Sequence, residues 1–150
     1  GWKVVAKQKE NLPIGFLVTE ISEDERRMCA LEVHCATELQ KASTELRELA
    51  KEACRLALAE PEVMYLTRKH VPWEEVRRHE RAVTAQVSSE CADYAKIEEK
   101  VMSLMGKWYG KICLMEREMK DGSAFGLRLA KLNKEHSWDI SFAKLVILQI

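Results

Sequence analysis

The sequence predicts a mainly α fold, an elongated antiparallel helical hairpin or bundle with a third, shorter helix and a small β-sheet made by the terminal segments. Two long apolar seams at helical spacing predict the hairpin, and β-branched, aromatic segments at both ends predict the sheet. The first seam opens at "ISEDERR", where Ser22 stands as an N-cap, Glu25 completes a capping box, and Glu23 and Asp24 suit the positive helix end. Steps of four and three then run through Met28, Glu32, Cys35, Leu39, Ala42, Leu46, Leu49, Ala53 and Leu56, with Ala36, Ala50, Cys54 and Ala57 widening the stripe. This predicts helix 22–60, ended by Pro61.

The connection 61–71 is expected to form the hairpin tip and to hold one short helix. Pro72, followed by Glu74 and Glu75, opens a second helix over 72–121. Its seam reads Val76, Glu80, Val83, Val87, Glu90, Tyr94, Ile97, Val101, Leu104, Trp108, Lys111 and Met115. Gly122 is the expected left-handed terminator, and Ser123 caps a third helix over 123–135 with Phe125, Leu129 and Leu132. Helices of about 38 and 48 residues would run about 57 and 72 Å.

Residues 1–21 and 137–150 are expected to be strands. "GWKVVAK" and "IGFLVTEI" lead the chain, while Trp138, Ile140, Phe142, Val146, Leu148 and Ile150 alternate at its end, interrupted by Lys144. A helical C-terminus capped by Ser137 is the rival reading. One domain over 1–150 fits the length. The chain starts at Gly1 and stops inside "LVILQI", so it reads as a piece of a longer protein.

Hydrophobic residues are 47% and charged residues 32%, the balance of a globular protein rather than a disordered one. Twenty-four basic and twenty-four acidic residues cancel, which leaves no overall field to draw the chain onto nucleic acid or an anionic membrane. The five cysteines have no C-x-x-C spacing and fall in helical patterns, which suits a reduced, intracellular setting, cytoplasm or nucleus. No apolar run approaches the roughly 20 residues that span a bilayer.

Two surfaces stand out as partner sites. On helix 2, Ser103, Gly106, Gly110 and Cys113 follow at spacings of three, four and three beside Trp108, laying small residues along one stripe where another backbone can approach. Glycine in a helix interior costs about 1 kcal/mol relative to alanine, so a compensating contact is expected, from the same chain or from a second molecule. The second surface is "TRKHVPWEEVRRHER", where Trp73, Arg77, Arg78 and Arg81 combine an aromatic anchor with cations.

Catalytic, metal and cofactor signals are weak. His34 with Glu38 and Glu75 with His79 are one-turn pairs, read as surface contacts, and buried thiols are inert. His79-Glu80 followed by Thr84 is similar, over a short stretch, to the start of histidine-kinase dimerisation helices, without the proline or asparagine that follows there. The sequence therefore predicts a non-catalytic protein-interaction or scaffold module of a larger assembly. It is expected to need no metal or cofactor and to bind a second copy or a heterologous protein. The alternative is a small-ligand-binding or histidine-phosphotransfer bundle.

Overall fold

Four side chains on alternate positions, Cys29, Leu31, Val33 and Cys35, are fully buried, and the segment that carries them is the middle strand of a sheet. In the computed structural model, which describes residues 12–150, β1 (Ile14–Ile21) pairs antiparallel with β2 (Arg27–Cys35), and β2 with β3 (Ser141–Gln149), in the order β1-β2-β3. Helices make up most of the rest, so the helical majority and the small antiparallel sheet agree with expectation. The strand expected of "GWKVVAK" lies outside the described residues.

Helix 22–60 is corrected. Ser22 does not cap a helix: its backbone N–H donates to the Arg27 carbonyl at 2.9 Å and its hydroxyl to Asp24 at 2.6 Å, while Glu25 takes a left-handed φ of 60°. That turn reverses the chain from β1 into β2. Helix begins only with α1 (Glu38–Lys41), capped by the Thr37 hydroxyl, and α2 (Thr44–Ala59), capped by Ser43. Of the expected seam, Leu46, Leu49 and Ala53 face inward with Ala50, Cys54 and Ala57, and they pack mainly on the sheet rather than on a long partner helix. The small residues let α2 lie close to the strands.

The long helix 72–121 is two helices. α3 (Trp73–Glu90) and α4 (Tyr94–Ile112) fold back on one another across Cys91, Ala92 and Asp93, where Cys91 is extended and Asp93 accepts the Ala95 N–H. Each is about 27 Å long at 1.5 Å per residue. Val83, Val87 and Met105 are buried between them, with Val76, Ile97, Val101, Trp108 and Tyr109 around. This cluster shares no residue with the body core of the sheet, α2 and the later helix at Gly126–His136. The hairpin is thus an arm with its own small core.

Gly122 has the expected left-handed φ of 85°, but it serves a turn at 119–123, not the end of a helix. The third helix, α5, spans Gly126–His136 and not 123–135, because Asp121 holds both the N–H and hydroxyl of Ser123 in that turn. Ser137 closes α5 in a left-handed conformation, and β3 follows in place of the rival C-terminal helix.

Candidate functional site

The root of the arm is where the body grips it. Met64 and Tyr65 donate backbone N–H bonds to the Ile112 carbonyl, and Leu114 and Met115 donate to the carbonyls of Tyr65 and Leu66, all between 2.8 and 3.0 Å. Arg68 forks both carboxylate oxygens of Glu116 at 2.7 Å and lies over the Tyr109 ring, and the Tyr65 hydroxyl donates to Glu75. That bond pushes the Tyr65 phenol up to about 12. His70 reaches the Ala143 carbonyl of β3 at 3.2 Å. These bonds fix where the arm leaves the body.

Segment 61–71, expected at a hairpin tip, therefore sits at the root, and the tip is Cys91 to Asp93. Trp73, Arg77, Arg78 and Arg81 do come together, lining one shallow groove with Glu74 on the first turns of α3. Trp73 stays exposed, and the Arg77 guanidinium lies 5.8 Å from its ring centroid. The sequence located this cluster but put it at the wrong end of the arm.

The small-residue stripe survives in part. Ser103 is exposed, a Cβ at Gly106 would meet nothing within 4 Å, and one at Gly110 would make only ordinary contact with the Glu116 carbonyl at 3.7 Å. Met102, one turn before Gly106 on the same face, stays exposed. Cys113 is withdrawn from the stripe, because α4 stops at Ile112 and the thiol is wholly buried in the root. Trp108 is withdrawn as well. It turns toward α3 and stacks on His79 with ring centroids 4.2 Å apart. The compensating contact expected at Gly106 is not made by any described residue.

No described residue reproduces the one-turn His–Glu pairs; His34 instead bonds Glu32 at 2.7 Å, and Glu75 bonds Tyr65. Glu45, Glu135 and His136 bring exposed ligand atoms within 4.8 Å of one another, with His136 bonded to Glu45 at 3.1 Å. Burial pushes the Cys35 thiol up and takes that of Cys113 to about 11. Cys29 and Cys54 act on one another, which holds the first thiol low and, with burial, pushes the second up, while the Cys54 thiol donates to the Val18 carbonyl at 3.5 Å. All five cysteines are free, and Cys91 alone is not buried. Ellman's reagent should therefore titrate one thiol rapidly in the native protein and the other four only on unfolding, with peptide mass analysis placing the fast adduct at Cys91.

No protein-family model matches the chain. It is similar to elongation factor Ts of Caldanaerobacter subterraneus subsp. tengcongensis, 30% identical over 89 residues that cover 59% of this chain and 44% of the relative. It is also similar to elongation factor Ts of Desulfitobacterium hafniense, 28% identical over 89 residues, 59% of this chain and 40% of the relative. The chain spans less than half the length of these curated relatives. No helix among the described residues is long and apolar enough to cross a membrane.

Proposed function

We propose that this chain is a non-catalytic protein-docking module in which the α3/α4 arm offers the outer face of α4 to a heterologous protein. The observation that carries the reading is the bare backbone at Gly106. A helix-interior glycine is destabilising by about 0.5–1 kcal/mol against alanine, and no described neighbour offsets that cost. Met102, one turn from Gly106 on the same face, is exposed where a helix serving only its own core would place a polar residue. A second backbone fits there without displacing anything.

The likeness to elongation factor Ts supports a partner among the proteins of translation elongation, and with it an intracellular setting. The test is calorimetric titration of the chain against purified elongation factors. Gly106→Ala should raise stability by about 0.5–1 kcal/mol, since the new methyl enters open space and the unfolded chain loses freedom. Gly106→Leu should stay folded and weaken partner binding at least about tenfold, because its side chain fills the approach. A Gly106→Leu protein that binds as tightly as wild type would remove the stripe from the interface.

A further inference from the structure

The chain has ten arginines, and seven of them have a hydrogen-bond or ion-pair partner inside the fold. Arg55 pairs with Glu20, Arg68 with Glu116, Arg117 with Glu60 and Arg128 with Glu52. Arg26, Arg27 and Arg47 donate to the carbonyls of Ile150, Leu58 and Lys41. The remaining three, Arg77, Arg78 and Arg81, have no such partner among the described residues, and these three line the groove with Trp73. Each of the other seven has at least one partner in the fold, and here three stand side by side in solvent.

From this we infer that the Trp73 groove, a second surface on the other helix of the arm, receives an acidic protein segment carrying an apolar residue. A guanidinium is planar with its donors in a fork that matches a carboxylate, so three of them within two helical turns suit closely spaced Asp or Glu side chains. Trp73, exposed and at the head of the groove, supplies the face on which an apolar side chain rests. Arginine and tryptophan are also the residues that most often anchor protein interfaces. Glu74 in the groove wall and Glu80 beside it disfavour a continuous polyanion, and the chain carries no net charge to hold one. A short run of carboxylates therefore fits this groove better than a nucleic-acid backbone.

The test is fluorescence anisotropy with three labelled probes: a short peptide rich in Asp and Glu around one Leu, its Asn/Gln counterpart, and a single-stranded oligonucleotide. The acidic peptide should bind wild type and weaken as salt rises. Replacing the three arginines together (Arg77→Gln, Arg78→Gln, Arg81→Gln) should weaken it at least about tenfold, and Trp73→Ala should weaken it measurably. All four positions are exposed or nearly so on α3, and circular dichroism checks that the variants stay folded. Gly106→Leu should bind the peptide as wild type does, which separates this surface from the stripe on α4. Equal binding of the Asn/Gln peptide, unchanged binding by the triple variant, tighter binding of the oligonucleotide, or no binding of the acidic peptide would each overturn the inference.

Discussion

Phe125→Ala should cost about 3–5 kcal/mol and lower the melting temperature by on the order of 10 °C in a calorimetric or circular dichroism melt. Phe125 is 1% exposed, the bulkiest of the fully buried side chains, and it sits in the body core beside Leu114 and Leu129. It is also where the chain returning from the arm re-enters the body: its N–H donates to the Arg117 carbonyl at 2.8 Å and the Arg128 guanidinium lies over its ring. Truncation removes apolar contact and leaves a cavity that sheet and helix fill only by moving. A loss below about 1 kcal/mol would mean that the body core does not depend on this junction.

Gly126→Val should be the second severe change, costing about 2 kcal/mol or more in a denaturant melt. A Cβ at Gly126 would stand 2.8 Å from the Met115 carbonyl oxygen and 3.3 Å from the Met115 Cβ. The obstacle is backbone, which cannot swing aside as a side-chain end would. The start of α5 or the turn at Leu114–Glu116 must shift instead. Gly106 is the opposite case, a helix glycine with nothing over it. One glycine is needed for the fold, and the other is left open by it.

The two sheet edges were legible because β1 and β3 are short segments rich in β-branched and aromatic residues, with apolar residues on most even positions from 138 to 150. The middle strand was not. Met28 to Cys35 fits a four-three helical step through Met28, Glu32 and Cys35 as readily as a two-residue step through Cys29, Leu31, Val33 and Cys35. Ala30, Leu31 and Glu32 favour helix locally, and pairing with two flanking strands overrode that preference. The signal that favoured the strand was the four apolar residues on every second position.

The arm was legible as a seam but not as a hairpin. Val76, Val83 and Val87 on one limb and Ile97, Val101 and Trp108 on the other face each other across a reversal that contains neither glycine nor proline. A seam read straight through looks the same. Two breaks were visible: Glu90 on the apolar seam, and Asp93 placed as an N-cap. Extending one helix past Ile112 is also what put Cys113 on the stripe, whereas Trp108, two residues from Gly106, points to the opposite face of α4. Ser103, Gly106 and Gly110 keep the expected spacing along one face, since they lie within one unbroken helix.

On the proposed reading, a protein partner docks on the outer face of α4, bare at Gly106. The most direct measurement is a ¹⁵N-correlated NMR titration of the chain with the elongation factor that binds it in calorimetry, reading the well-separated glycine amides. Docking on α4 should shift or broaden Gly106 and Gly110 together with Ser103 and Lys107, while Gly15 at the sheet and Gly126 at the body junction stay in place. Perturbations confined to Gly15 and the outer strands, with Gly106 and Gly110 unmoved at saturation, would contradict it and transfer the docking surface to the sheet.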